Sequence, residues 1–264
     1  MNQYKNKIIW ITGASSGIGE ALAYELSNRG ASIVLSSRNA EKLEEIRRTC
    51  VHPEKHTVLP LDLGQNSEFR KQVQIVLEKY QRIDILINCG AVSQKAISYL
   101  TQSEVERQIM EVNYWGTVNL SKLLLNHMLE NKKGMIVVFS SVLGKIGIAG
   151  RSSYSASKHA LHGYFDSLRC DLRKRGHKDI KIKMVCPGYI KTRISYNYLD
   201  EKGNMLDFMD EDHKKAMSPE ASAKIIARKL QGPSMEFLVG GKEVLAVYLK
   251  RFLQGFFLKN SYKY

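Results

Sequence analysis

The chain has 264 residues, 44% of them hydrophobic, and a formal net charge of +14 at pH 7. This length and composition fit one globular α/β domain and exclude a disordered chain. The basic residues recur in nearly every helix-like segment instead of forming one stripe with stacking aromatic residues, so we expect no nucleic-acid partner. An anionic membrane surface and an anionic ligand both remain as explanations of the charge.

The cysteines and the start of the chain bear on the cellular compartment. The four cysteines are scattered, without a C-x-x-C pair, which predicts reduced thiols in the cytoplasm and no metal site. A predicted strand begins at Lys7, so we expect no leader peptide. No apolar run reaches the ~20 residues that a bilayer span requires. We therefore expect a cytoplasmic protein that is soluble or associates peripherally with a membrane.

Short apolar segments alternate with helical patterns along the chain. The predicted strands are residues 7–11, 31–36, 57–61, 83–87, 135–139, 180–185 and 235–239. The predicted helices are residues 20–26, 40–49, 66–80, 103–131, 153–176 and one that begins at Ser218. Continuous apolar strands separated by helices predict a parallel sheet with helices on both faces. The predicted fold is a single α/β domain over residues 1–264, a Rossmann-type doubly wound parallel sheet.

Two segments depart from this alternation. Residues 195–217 are rich in Tyr, Met, Asp and Lys, which predicts a mobile lid over a substrate. Residues 242–264 form a basic amphipathic tail, in which Phe257 and Leu258 extend the apolar surface. Its apolar residues at helical spacing are Leu245, Leu249, Phe252, Leu253 and Phe256, beside Lys242, Lys250, Arg251 and Lys259. The tail is predicted to lie on an anionic membrane surface, or to pack on the chain's own core or a partner subunit.

The stretch TGASSGIG, residues 12–19, fits two motifs. One is the G-x-S-x-G nucleophile elbow of hydrolases, with Ser15 as nucleophile, and the other is a glycine loop that binds a dinucleotide. Ser15 follows the first strand, so no earlier loop is present to complete an oxyanion hole, and the hydrolase is the weaker alternative. In a doubly wound sheet the loop after the first strand holds the pyrophosphate against a helix N-terminus.

A second group of residues is suited to acid–base chemistry. Tyr154 and Lys158 are four residues apart on a predicted helix, and Tyr154 comes thirteen residues after Ser141 at the end of a strand. Residues at this helical spacing share a face, and an adjacent ammonium should lower the tyrosine pKa from its usual ~10. The pattern predicts a proton donor, with the Ser141 hydroxyl bound to a substrate carbonyl.

From about Lys7 to Val239 the chain resembles the short-chain dehydrogenase/reductase family, and within it the steroid, retinol and lipid-type reductases, closest to the group of members 7 and 7B. The matching positions are Thr12-Gly13-Ala14-Ser15-Ser16-Gly17-Ile18-Gly19, Asp62, Asn88, Asn113, Ser141, Tyr154, Lys158 and Pro187-Gly188-Tyr189-Ile190-Lys191-Thr192. The resemblance implies cofactor contacts from the first loop, Asp62, Asn88, Tyr154, Lys158, Pro187, Gly188, Ile190 and Thr192.

The resemblance also implies the catalytic roles. Tyr154 would be the general acid/base, Ser141 would orient the substrate carbonyl, Lys158 would bind the nicotinamide ribose, and Asn113 would help hold a water in a proton relay. A buried structural amide remains an alternative for Asn113. The implied substrate is a hydrophobic or lipid-like ketone or alcohol, a lipid phosphate ketone among them, and the implied assembly is a homodimer or homotetramer. A nucleotide-binding regulatory or structural protein without turnover is the alternative function.

Three local features refine these expectations. Ser37 and Arg38 follow the second strand where an NAD enzyme would place a carboxylate, which predicts NADP(H), while Asp62 could equally cap a loop. The usual Asn-Asn-Ala-Gly loop reads Asn88-Cys89-Gly90-Ala91, and Ala91 would cost stability if its position needs a positive φ. His159 and His162 lie at i,i+3 on the predicted helix without an acidic metal partner, which predicts contacts with solvent or a dimer partner and no metal.

Overall fold

Seven parallel strands form the main sheet of the computed structural model, which describes residues 4–192, 194, 197–207 and 216–260. The strands in chain order are β1 (Ile8–Thr12), β2 (Ser32–Ser36), β3 (Thr57–Val58), β4 (Ile85–Asn88), β5 (Ser93–Gln94), β6 (Gly134–Phe139), β7 (Ile180–Pro187), β8 (Tyr198–Leu199) and β9 (Glu236–Val239). The main sheet has the order β3-β2-β1-β4-β6-β7-β9, and β5 pairs separately with β8. The strand order reverses between β1 and β4, which opens a crevice at the carboxyl ends of these strands.

Nine helices are present in the described ranges. They are α1 (Gly17–Asn28), α2 (Ala40–Thr49), α3 (Phe69–Tyr80), α4 (Ser103–Met110), α5 (Gly116–Glu130), α6 (Ser152–Lys174), α7 (Pro219–Gln231), α8 (Leu245–Phe252) and α9 (Gln254–Asn260). Short 3-10 turns and one π turn connect some of them. Within these ranges, no helix is both apolar enough and long enough to cross a membrane.

The apolar residues of β1 divide between two cores. Ile9 and Ile11 pack in a cluster with residues of α1, α2 and α7, whereas Trp10 packs in a second cluster with residues of α3, α5 and α6. Successive side chains of a strand point to opposite faces, so an apolar residue at every position requires helices on both sides. This arrangement confirms the predicted fold class.

Several predicted boundaries differ from the structure. The helix predicted over residues 103–131 is interrupted by a π turn at Glu111–Trp115, and the predicted tail helix is two short helices, α8 and α9. Within the predicted lid, Tyr198 and Leu199 are buried and form β8. Residues 195, 196 and 208–215 of that segment lie outside the described residues, so the mobility of the lid stays a prediction.

Candidate active site

A cleft of about 1380 Å³ lies at the carboxyl ends of β1, β2, β4, β6 and β7. Its walls include Thr12, Ser36, Phe139 and Pro187 from the ends of these strands, and the first residues of α1. Parallel α/β sheets bind ligands at this edge, in the crevice where the strand order reverses. The structure brings almost all of the predicted site residues to this cleft: Gly13, Ser15, Ser16, Gly17, Ile18, Ser37, Arg38, Asp62, Ser141, Tyr154, Lys158, Pro187, Gly188, Ile190 and Thr192.

The loop after β1 needs glycine for two different reasons. Gly13 and Gly17 have positive φ angles of 67° and 57°, which glycine adopts without steric cost. A Cβ on Gly19 would lie 2.2 Å from the carbonyl oxygen of Gly13, so the start of α1 packs directly on the loop. This close approach leaves the N-terminus of α1 at the cleft, where its partial positive charge favours an anion.

The permuted loop after β4 is accommodated without backbone strain at Ala91. Ala91 is not among the residues with a positive φ, so the predicted stability cost does not arise. Gly90 is the residue that touches the first loop, since a Cβ on Gly13 would lie 2.6 Å from the Gly90 Cα. The hydroxyl of Thr12 accepts hydrogen bonds from the amides of Cys89 and Gly90, at 3.2 and 3.3 Å. The two loops therefore form one floor of the cleft.

Arg38 lies exposed at the edge of the cleft, directly after β2. Among the described residues it makes no ion pair or hydrogen bond. Its neighbour Ser37 accepts a hydrogen bond from the amide of Asn39 at 3.2 Å, and Asn39 caps α2 through the amide of Lys42. A cationic fork beside a ligand cleft, with no carboxylate in residues 33–39, suits a bound phosphate.

Two predicted cofactor residues have structural partners. Asp62 lines the cleft and also accepts a hydrogen bond from the amide of Gly64 at 2.9 Å, so it does cap its loop. Asn88 is buried and donates to the hydroxyl of Ser121 at 3.0 Å, which ties β4 to α5. Its side-chain oxygen has no hydrogen-bond partner among the described residues.

Lys158 is held in the interior beside Tyr154. Its side chain is 2% exposed, and its ammonium donates a hydrogen bond to the carbonyl oxygen of Phe139 at 2.8 Å. The ammonium nitrogen lies 5.6 Å from the centre of the Tyr154 ring. Burial lowers the pKa of Lys158 to about 8, because a charged amine loses its hydration in the interior.

The pKa of Tyr154 shifts in the direction opposite to the sequence prediction. Burial raises it to about 12, and a hydrogen bond from the Ser141 side chain only partly offsets this rise. The prediction considered the neighbouring charge alone, whereas in the ligand-free protein the loss of hydration is the larger effect. At neutral pH the phenol is therefore protonated in this state. Ser141 also accepts a hydrogen bond from the amide of Leu143 at 3.1 Å.

Asn113 lies in the π turn between α4 and α5, fully buried. Its side chain accepts from the amide of Val92 at 2.8 Å and donates to the carbonyl of Val92 at 2.9 Å. It also donates to the hydroxyl of Ser157 at 3.0 Å, and Ser157 donates to the carbonyl of Tyr154. The amide thus joins the loop after β4 to the part of α6 that carries Tyr154, and a role in a proton relay stays a prediction.

Sequence reasoning missed Gln94, which positions the start of α6. Its side-chain oxygen accepts from the amides of Ser153 and Tyr154, at 3.0 and 3.2 Å. The first amides of a helix lack partners within the helix, and here a distant side chain supplies one. No sequence signal marks this contact, because Gln94 and Tyr154 are 60 positions apart.

Glu243 is the second residue that sequence reasoning missed. One of its carboxylate oxygens accepts from the amides of Tyr189 and Gly241, at 2.9 and 2.8 Å. A Cβ on Gly188 would lie 2.1 Å from the same oxygen, so this glycine is required for the contact. Glu243 is the one acidic residue in the sequence of residues 242–264. An acid isolated in a basic segment was a sequence signal that could have pointed to a specific contact.

The other part of the cleft is mainly apolar. Its apolar lining residues are Val92, Ala96, Ile97, Val142, Leu143, Ile148, Tyr198, Leu199 and Met205, and its polar ones include Lys95, Gln108, Asn197 and Glu201. Arg151 is buried, donates to the carbonyl of Gln94, and places its guanidinium 3.7 Å from the centre of the Tyr198 ring. This region offers a substrate apolar contact close to the hydroxyls of Tyr154 and Ser141.

The predicted environment of His162 is wrong. His162 is buried, with Cys186 at 3.8 Å from one ring nitrogen and a Glu236 oxygen at 3.3 Å from the other. The ammonium of Lys145 binds the same Glu236 oxygen at 2.9 Å. The contact with His162, together with the Lys145 ammonium, lowers the pKa of Glu236 to about 2. The cluster therefore holds an ion pair between two segments of the fold. His159 is exposed, as predicted.

The sequence matches a family model described as short chain dehydrogenase over residues 7–203. It is 44% identical over 197 residues to the dehydrogenase/reductase SDR family member 7 of Homo sapiens, covering 73% of this chain and 58% of that protein. It is 37% identical over 259 residues to a family protein 7-like of Drosophila melanogaster, covering 96% and 78%. It is 34% identical over 263 residues to member 7B of Bos taurus, covering 97% and 80%. The match spans little more than half the length of the human relative.

Solved structures share the fold at low sequence identity. A short-chain dehydrogenase from Streptomyces avermitilis has a TM-score of 0.81 and 22% identity, covering 97% of each chain. One from Burkholderia cenocepacia, in complex with NADP, has a TM-score of 0.78 and 23% identity, covering 97% of this chain and 98% of that one. One from Burkholderia phymatum, in complex with NAD, has a TM-score of 0.84 and 19% identity, covering 98% and 97%.

Proposed function

The chain belongs to the short-chain dehydrogenase family, and from that premise we propose that it is an NADP(H)-dependent oxidoreductase. Its substrate in this proposal is a carbonyl or secondary alcohol of a hydrophobic or lipid-like molecule. The observation that carries the proposal is the meeting of Ser141, Tyr154 and Lys158 in one cleft with the glycine loop. Two relatives of solved structure were crystallised with NADP and NAD, so a nicotinamide dinucleotide is the cofactor class to test first.

The loop after β1 fits the pyrophosphate of such a cofactor. Gly13 and Gly17 allow the positive φ angles of the loop, Gly19 lets α1 pack directly on it, and α1 directs its N-terminus to the cleft. The bound nicotinamide supplies or accepts the hydride. Arg38 supports NADP(H) over NAD(H), because an exposed guanidinium at the end of β2 pairs with a 2′-phosphate where a carboxylate would pair with ribose hydroxyls.

Tyr154 would exchange the proton that accompanies hydride transfer. With a pKa raised to about 12 in the ligand-free protein, its phenol is protonated at pH 7 and ready to donate to a carbonyl oxygen. Ser141 would hold that oxygen through its hydroxyl. Lys158 would stabilise the phenolate left after proton transfer, since its buried ammonium lies 5.6 Å from the centre of the Tyr154 ring and is held by the carbonyl of Phe139.

The apolar part of the cleft supports the substrate class. Val142, Leu143, Ile148, Tyr198 and Met205 all line it, together with Ser141 and Tyr154. Apolar walls with a few convergent polar groups are typical of sites that bury a small hydrophobic molecule.

Titration of the purified protein with NADPH and with NADH, followed by fluorescence, tests the cofactor. We expect tighter binding of NADPH, and we expect Arg38→Asp to weaken NADPH by at least about tenfold, because a charge-assisted contact is lost and a repulsion is added. Arg70→Asp, an exposed arginine on α3 away from the cleft, is the matched control and should change neither affinity. An unchanged preference in Arg38→Asp would place phosphate recognition elsewhere.

A panel of hydrophobic ketones added to the tighter complex tests the reaction. Oxidation of NADPH by one of them supports the proposal, and NADPH binding without turnover of any ketone favours a nucleotide-binding protein without catalysis. A serine-directed covalent probe addresses the remaining alternative, because labelling of Ser15 would revive the hydrolase.

A further inference from the structure

Residues 245–260 present large apolar side chains to solvent. Leu245 is 60% exposed, Phe252 is 74% exposed and Phe256 is 60% exposed, and Tyr248 and Leu253 are also more than half exposed. We call these five residues the tail surface. Of the large apolar residues of α9, Phe257 is the one that is buried. The described residues of this chain therefore do not cover the tail surface, and packing on its own core does not explain the sequence pattern.

The tail surface lies among positive charges. Lys242, Arg251 and Lys259 are exposed beside it, and residues 244–260 contain no carboxylate. Glu243, the acid next to this stretch in sequence, is occupied by the backbone amides of Tyr189 and Gly241. An exposed apolar face in a segment with cations and no carboxylate of its own matches the interface of a bilayer, where apolar groups meet acyl chains and cations meet acidic headgroups.

We propose that the tail surface is a docking site for an anionic lipid bilayer. A second copy of this chain is the other occupant to consider, because exposed apolar faces also form dimers. Self-association through this surface would bring the same cations of two molecules together, each with a net charge of +14, and like charges oppose that contact. An acidic headgroup layer satisfies both the apolar and the cationic parts of the surface.

The tail is connected to two walls of the candidate active site. The ammonium of Lys250 donates to the carbonyl of Lys145 at 2.9 Å, two residues beyond Leu143 of the cleft. Glu243 holds the amide of Tyr189, which also lines the cleft. A bilayer bound at the tail surface would therefore lie next to the loops that border the cleft. If the proposed function holds, a lipid-like substrate would have a short path from the bilayer to the site.

Sedimentation with vesicles tests the docking site without any activity measurement. The full chain is mixed with vesicles of phosphatidylcholine alone, or of phosphatidylcholine with phosphatidylserine. We expect binding to the anionic vesicles at least about tenfold tighter, and weaker binding as salt is raised, because screening acts on exposed charges. The absence of binding to anionic vesicles at low salt would overturn the proposal.

Two double variants separate the apolar and cationic contributions. Phe252→Ser with Phe256→Ser should weaken binding by at least about tenfold, since exposed phenyl groups no longer enter the acyl layer. Arg251→Gln with Lys259→Gln should weaken binding to anionic vesicles by about fivefold per residue and leave the weak binding to neutral vesicles unchanged. All four positions are exposed, so the fold should persist, and circular dichroism checks that it does.

Matched controls place the same changes elsewhere on the surface. Val51→Ser with Ile75→Ser replaces apolar residues that are also exposed, and Arg70→Gln with Lys71→Gln removes two exposed charges from α3. Vesicle binding should be unchanged in both. An equal loss in the charge control would mean that the attraction depends on the net charge of the protein, and an equal loss in the apolar control would mean that any exposed apolar residue serves. Either result would overturn the docking site. Conversion of a dimer to a monomer by Phe252→Ser with Phe256→Ser would assign the surface to a second copy and would also overturn it.

Discussion

Replacing Lys158 with methionine should stabilise the ligand-free protein while removing most of its activity. The ammonium is buried, and its pKa of about 8 lies well below the ordinary value of 10.5. That gap corresponds to about 3 kcal/mol, which the folded state loses at pH 7 by keeping the side chain charged. The hydrogen bond to Phe139, which methionine cannot make, offsets about 2 kcal/mol. A net gain of about 1–2 kcal/mol remains, or roughly 2–6 °C in Tm.

The gain should depend on pH in a defined direction. Below pH 8 the lysine is charged in both folded and unfolded chains, so the difference between wild type and Lys158→Met is constant. Between about pH 8 and the ordinary pKa of 10.5, the unfolded chain binds more protons, and the wild type becomes more stable as pH rises. The advantage of the variant should therefore shrink across this interval.

Urea unfolding of both proteins at pH 7.0 and at a pH near 10 measures these quantities. The exposed Lys71→Met is the control and should show no such pH dependence. A Lys158→Met protein that is less stable than wild type at pH 7, or whose stability difference does not change with pH, would refute the reasoning from burial.

Three further outcomes are expected. Tyr154→Phe should lower turnover by about 10²–10⁴-fold with NADPH affinity nearly unchanged, as steady-state kinetics and fluorescence titration would report; near-normal turnover would remove Tyr154 from the proton step. Glu236 has a pKa of about 2 against an ordinary 4.5, so it stabilises the fold above pH 4.5 and this stabilisation is lost as pH falls towards 2. Acid unfolding should show a smaller loss of stability in Glu236→Gln and an unchanged loss in the exposed control Glu220→Gln. Glu243→Gln should weaken NADPH binding and lower Tm less than Gly19→Ala does, because the Cβ of that alanine would meet a backbone oxygen. Equal losses of Tm in the two variants would mean that Glu243 stabilises the whole fold.

The family, the fold class and the composition of the candidate site followed from the sequence, because they depend on local patterns. Strand alternation predicted the sheet, and the i,i+4 spacing of Tyr154 and Lys158 placed them together on α6. The comparisons confirm the family. The NADP(H) preference and the catalytic roles stay predictions.

The errors involve contacts between distant parts of the chain. Gln94 and Tyr154 are 60 positions apart, and Glu236 is far from His162 in sequence, so no local period could connect them. The pKa of Tyr154 was predicted in the wrong direction because burial is a property of the folded chain and spacing carries no information about it. The break between α8 and α9 also escaped the pattern, since apolar residues continue through it.

The small sheet of β5 and β8 connects the lining of the cleft to the helix that carries Tyr154. Its strands meet through main-chain contacts, such as the bond from the amide of Lys95 to the carbonyl of Leu199 at 3.0 Å. The hydrogen bonds of this pairing therefore place no demand on the identity of the side chains, although Tyr198 and Leu199 are buried. The side chain of Gln94 in β5 has a separate role, because it holds the first turn of the helix that carries Tyr154. One strand of the small sheet therefore contributes Tyr198 and Leu199 to the wall of the cleft, and the other fixes the start of α6.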